Sequence, residues 1–319
     1  MNNLKNILVC FVFLTSLNAK DIFPTHTYNA SGGVTQLLIK DKKLYVSTIN
    51  SAIDIFDLNS NEKIKSIKLK KIKDFMGDKV AAKVYSIDIL NSKILTLSQG
   101  QKGGRNLQIY DNGDLTTLIE DTKRMFIAKA AFLDKNRVIF SLLSNELYIF
   151  DIDKKEIIKK IDVSLSKFSD FILSNDKKKI VIADESGNLK IHSTKDLKLI
   201  NKLEKQNLDN VFKLDMNNNI IVTAGQDRRA VIYNLNNNTA KYIESDFLIY
   251  SAGVSKSGKI AGISINENND VLVFETSSLD IIAYLKNNPA LISDIVFKNQ
   301  NEIFVSSDHS KINYYKLKD

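Results

Sequence analysis

The sequence has no tryptophan, two prolines, three histidines and one cysteine. Each shortage excludes something. The cysteine, Cys10, has no second thiol to pair with, so no intramolecular disulfide and no thiolate metal site can form. The histidines, His26, His192 and His309, are too few and too far apart for a metal-ligand spacing. Asp308, His309 and Ser310 are consecutive, but a catalytic triad needs spatial rather than sequential adjacency. After residue 17 no apolar run is long enough to cross a bilayer as a helix. Arginine is scarce too: of 45 basic residues only Arg105, Arg124, Arg137, Arg228 and Arg229 are arginines.

The first 19 residues read as an export leader. Lys5 supplies the positive end, residues 7–17 the apolar stretch, and Ala19 a small residue for cleavage before Lys20. Cys10 lies inside the apolar stretch after Val9, which does not suit a lipidation site. The expected product is a thiol-free chain, residues 20–319, in the periplasm, with no membrane insertion once the leader is gone. The formal net charge of +8 is a footprint nucleic acid would exploit, but export argues against that partner.

What is present is a repeat. An alternating apolar strand ending in an aromatic residue recurs as IDIFD at 53–57, LQIYD at 107–111, LYIFD at 147–151 and LKIHS at 189–193. It continues as AVIYN at 230–234, VLVFE at 271–275 and INYYK at 312–316. The fourth positions are Phe56, Tyr110, Phe150, His192, Tyr233, Phe274 and Tyr315, separated by 54, 40, 42, 41, 41 and 41 residues. A period of about 40–45 residues is that of WD40-type propeller blades. Each unit parses into four strands, here lettered a to d; the clearest, 168–173, 179–183, 188–192 and 197–203, is separated by Asn-, Asp-, Ser- and Gly-rich turns. The expected fold is all-β, a seven-bladed β-propeller. The last unit runs out after its third strand, so residues 22–28 are expected to add as its outer strand and latch the ring. Pro24 is tolerable in such an edge position. The repeated aromatics are expected to pack between blades.

The stretch SQGQKGGRNL, 98–107, resembles a phosphate cradle but lacks the Gly-Lys-Ser/Thr end and the following helix of a P-loop. It reads as a long b–c hairpin in which Gly100, Gly103 and Gly104 supply backbone freedom. It and the insertion at 70–83 account for the 54-residue interval. In a propeller the d–a and b–c loops share one face. Arg105, Arg124, Arg228 and Arg229 all fall on those loops, with Lys73, Phe75, Met76, Lys102 and Lys123. These nine residues are the expected partner-binding set, because arginine suits bidentate and interface contacts. No catalytic residues, cofactor or metal are expected.

Three stretches, SQGQKGGRNLQIY (98–110), SLLSNELYIFDI (141–152) and KFSDFILSNDKKKIVIADESG (167–187), resemble the NapL-type accessory proteins of the periplasmic nitrate reductase system, secreted WD40-like propellers of epsilonproteobacteria. The resemblance implies a non-catalytic protein, expected to be monomeric, that supports maturation or activity of the reductase through a protein partner. It supplies no catalytic residues. Two other readings are a propeller hydrolase or lactonase with a metal in the tunnel, and a small-anion binder using the same arginines.

Overall fold

The computed structural model describes residues 19–318. The expected leader, Cys10 included, therefore lies outside the described residues, apart from Ala19. Seven sheets follow one another along the chain as a seven-bladed β-propeller. The strands nearest the axis are Val34–Lys40, Val84–Leu90, Ile127–Phe132, Phe168–Leu173, Val211–Asn217, Ala252–Val254 and Ile292–Phe297. Each contacts the equivalent strand of the neighbouring blade. Within a blade, successive strands pair antiparallel with short turns. Alternation along each strand sends side chains to opposite faces of its sheet, so both faces bury apolar residues against the adjacent blades. The middle strands therefore read as nearly continuous apolar runs; Ile220–Gly225 is buried throughout.

The repeated aromatics do this packing. Phe56, Phe150, His192, Tyr233, Phe274 and Tyr315 are all buried, and Tyr110 is half-buried. His192 is a packed histidine: Nδ1 lies 2.8 Å from the Leu197 carbonyl. Burial holds its pKa below the usual value, so the ring is neutral.

The N-terminal segment gives one strand to each of two sheets. His26–Asn29 pairs antiparallel with His309–Lys316 and is the outermost strand of the seventh sheet. Lys20–Ile22 pairs in parallel with Ile281–Leu285 and gives the sixth sheet a fifth strand. The segment thus lies across two blades, with Pro24 in the bend between them. Tyr28 is 2% exposed and packs against Phe56 of blade one and Phe304 of blade seven.

Neighbouring inner strands are also tied by side chains that accept backbone N–H groups across the blade boundary. Gln36 Oε1 accepts Ile87 N at 2.8 Å, and Asp88 accepts Phe132 N at 2.7 Å. Asp170 accepts Leu214 N at 3.1 Å, Asp215 accepts Val254 N at 2.8 Å, and Asp294 accepts Leu37 N at 2.8 Å. The last tie joins blade seven to blade one. Two of the acids are also salt-bridged around the axis: Lys129 to Asp170 and Lys213 to Asp294, each at 2.6 Å. The second pair reaches from blade five to blade seven, skipping blade six. A Cβ on Gly253 would lie 2.1 Å from the Ile295 carbonyl oxygen, so the sixth blade can approach the seventh this closely only with glycine there.

Asp215 has no such cation on its carboxylate. Burial dominates, only partly offset by the N–H groups of Val254 and Met216, and its pKa is pushed up to about 6. A raised acid binds a proton more readily folded than unfolded. Its effect on stability is therefore most favourable below the unfolded value of 3.8, worsens as pH rises to about 6, and is constant above. That gap corresponds to at most ~3 kcal/mol. Asp215→Asn should flatten this slope. Urea midpoints taken at acid and neutral pH should show the variant gaining on the wild type as pH rises. A constant difference would mean the carboxylate does not titrate in that window.

Candidate functional site

Propeller geometry places the nine expected residues on the face built by the d–a and b–c loops. Seven of them form one corner and two do not join it. The insertion at 70–83 folds as a small hairpin, Ile72–Lys73 paired with Lys79–Val80. Asp74 stabilises its tip by accepting the N–H groups of Met76 and Asp78, both at 2.9 Å. Ile72 is buried and anchors the base, while Phe75 and Met76 at the tip are 79% and 87% exposed. The Phe75 ring passes close over Gly103: a Cβ there would stand 3.2 Å from Phe75 Cζ.

The b–c loop of blade two contains a 3-10 turn, Gln101–Gly103, and the next d–a loop contains another, Asp121–Lys123. They are locked together. Asp121 accepts Gln101 N at 2.7 Å, and Asn106 Oδ1 accepts Asp121 N at 3.0 Å. This corrects the reading of the three glycines. Only Gly103 has positive φ, at +78°. Gly100 and Gly104 are needed for close approach instead, since a Cβ on either would fall 2.2 or 2.7 Å from Asp121 Cβ.

Lys73, Lys102, Lys123 and Arg124 are exposed around this corner. Arg105 is not a free cation. Its guanidinium lies 3.9 Å over the Tyr85 ring and donates to the Gly103 and Gly104 carbonyls, while Nε is buried without a partner. Burial draws its pKa down. Its role here is to close the loop onto Tyr85. Arg228 and Arg229 sit on blade five, away from this corner. Arg228 is exposed, whereas Arg229 stacks on Tyr242 at 4.4 Å beside Glu244. The nine residues therefore do not make one patch.

The apolar distribution was missed from sequence. Among the described residues fifteen large hydrophobics are exposed. Seven are on this face: Ile49, Phe75, Met76, Phe126, Leu165, Leu208 and Leu291. Seven more lie on outer strands, and Phe23 lies between the two N-terminal strands. None is on the turns of the opposite face. Single exposed apolar residues are ordinary, but one-sided placement on five of the d–a connections is not what random exposure gives. A clue was available at Leu165 and Leu208, each standing alone among polar neighbours in its connection.

Three of the loops that carry them, those of Ile49, Leu165 and Leu208, are held from beneath. Asp184 accepts from Asn145 Nδ2 at 3.0 Å, Ser164 Oγ at 2.7 Å and Lys190 Nζ at 2.7 Å, joining three loops and strands in one buried network. Asp54 accepts from Ser31 and Ser66 in the same manner, with Lys63 at 3.1 Å. Burial pushes both carboxylates up, yet these hydrogen bonds outweigh it and hold both below the usual range. Tyr233, Asn207 and Thr223 make a third such set. A surface so fixed loses little conformational freedom on binding.

Among the described residues, no three His, Cys, Asp or Glu side chains come together as a metal-holding group. No protein-family model matches the chain, and no curated protein matches it.

Proposed function

We propose that this protein is a non-catalytic docking propeller of the periplasm that supports the maturation or activity of a periplasmic nitrate reductase, the role its sequence resemblance implies. The observation that carries the docking reading is the one-sided set of exposed apolar residues on pinned loops. The corner around Phe75 and Met76 is the anchor, because it joins the most exposed apolar pair to a surplus of cations. Residues 70–83 alone hold five lysines and two aspartates. Asp74 is already engaged by its own hairpin. The fitting partner surface is acidic with an apolar centre, the arrangement in which charge sets encounter and a few large side chains set affinity.

The test is binding of residues 20–319 to purified reductase subunits. Phe75→Ala with Met76→Ala is expected to weaken binding by at least tenfold, on the scale of a lost hot spot. Arg124→Glu should slow association mainly at low salt. Neither change should move the melting temperature, since these side chains are exposed. Unaltered binding by the double variant would remove this corner from the interface. A strain lacking the gene, assayed for reductase activity, abundance and cofactor content, separates a maturation role from an activity role.

A further inference from the structure

The mouth of the central tunnel on the same face opens into a cavity of about 310 Å³. That is within the range of small-molecule sites. Its wall includes Tyr85, Phe212, Tyr250 and Leu291. Phe212 and Tyr250 stack in parallel, 5.4 Å apart at 10°. One face of Tyr85 is covered by Arg105.

The charged groups of the cavity are unevenly satisfied. Both oxygens of each strand carboxylate accept hydrogen bonds, three bonds to each residue. Asp170 accepts Leu214 N, Phe171 N and Lys129 Nζ; Asp294 accepts Leu37 N, Ile295 N and Lys213 Nζ. The two ammonium groups are not fully engaged. An ammonium has three protons to donate. Lys129 donates to Asp170 alone, and Lys213 to Asp294 and the Ser293 carbonyl. Two protons remain on the first and one on the second. Ser86, which also lines the cavity, keeps a buried hydroxyl without a partner. Spare donors beside carboxylates whose oxygens are already engaged favour an acceptor-only, negative group. Asp170 and Asp294 balance the charge of the two lysines, and Asp308, exposed at the rim on the blade-seven side, is a further opposing charge.

We propose that this cavity is a binding site for an organic carboxylate on an apolar or aromatic stem, its carboxylate received by Lys129 and Lys213 and its stem held among Tyr85, Phe212 and Tyr250. The stem is required because an inorganic anion would leave the aromatic wall unused. The source is either a free small acid or the C-terminal carboxylate of a peptide, which share this chemistry. The site does not depend on the docking reading, and the Phe75/Met76 double variant should leave it intact.

The probe is 3-phenylpropionate, titrated calorimetrically into residues 20–319. Binding is expected, with 3-phenylpropionamide and acetate each at least about tenfold weaker, as loss of a charge-assisted hydrogen bond or of the buried stem requires. Lys213→Met and Phe212→Leu should each weaken it similarly, and Asp308→Asn should tighten it. A peptide ending in free phenylalanine, compared with its amide, tells the sources apart: stronger binding than phenylpropionate assigns the site to a chain terminus, weaker binding to a free acid. The two ligand-side controls need no variant to fold. Equal binding of acid and amide, equal binding of acetate, or no binding of phenylpropionate at millimolar concentration would each overturn the proposal.

Discussion

Chains that begin at residue 30 rather than residue 20 are expected to unfold far more readily, and Tyr28→Ala alone should cost about 3–5 kcal/mol, as deletion of a large buried aromatic does. Tyr28 contacts two blades at once, and its hydroxyl donates to Asn61 at 2.6 Å. Truncation also removes the backbone bonds of both N-terminal strands and exposes the edge of His309–Lys316. An unpaired edge of that length is an aggregation template. Tyr28→Phe is the control: it keeps the packing and loses one half-exposed hydrogen bond, so its loss should be near 1 kcal/mol. Denaturant unfolding of the three chains measures this. If Tyr28→Ala unfolds like the wild type, the ring is held without this strand.

The second large effect is expected at Asp294. Replacing it with alanine leaves Leu37 N–H without its acceptor and Lys213 without its carboxylate in a largely buried setting. Breaking a buried pair by removing one partner destabilises by about 3–5 kcal/mol. Asp294→Asn keeps an oxygen for Leu37 N–H and should lose clearly less. Combined with Lys213→Met, Asp294→Ala should recover part of its loss, because no ammonium is then stranded. A variant at Asp294 within ~0.5 kcal/mol of wild type would place it among ordinary surface changes and refute the tie.

Much of the fold was legible because the repeat is periodic in the residues that fill the core. Seven aromatics at near-constant spacing fixed the blade count, and strand limits such as Phe168–Leu173 follow from alternation alone. What escaped is what depends on a second blade. Lys20–Ile22 is too short to show any period, and its parallel partner is more than 250 residues away. The glycines of 98–107 suggest only backbone freedom, because nothing local shows that Asp121 presses against two of them. Arg105 counted as a surface cation because its stacking on Tyr85 is a contact between strands. The blade-to-blade aspartates did leave a trace: Asp88, Asp170, Asp215 and Asp294 each interrupt an apolar inner strand where a polar residue has no local reason to be.

The path of the N-terminal segment also sets an order of events. Every sheet from blade one to blade five is assembled from one contiguous stretch of chain, so each can form as soon as its residues are available. The sixth and seventh cannot. Their outermost strands are the earliest residues of the described chain, and Thr27 finds Asn313 across 286 positions. Such pairing comes late, since non-local contacts must wait for the loop between them to be ordered. A chain synthesised N-terminus first would therefore carry residues 20–29 as an unspent strand while the rest is made. It would acquire its last two complete sheets only when the final fifty residues arrive.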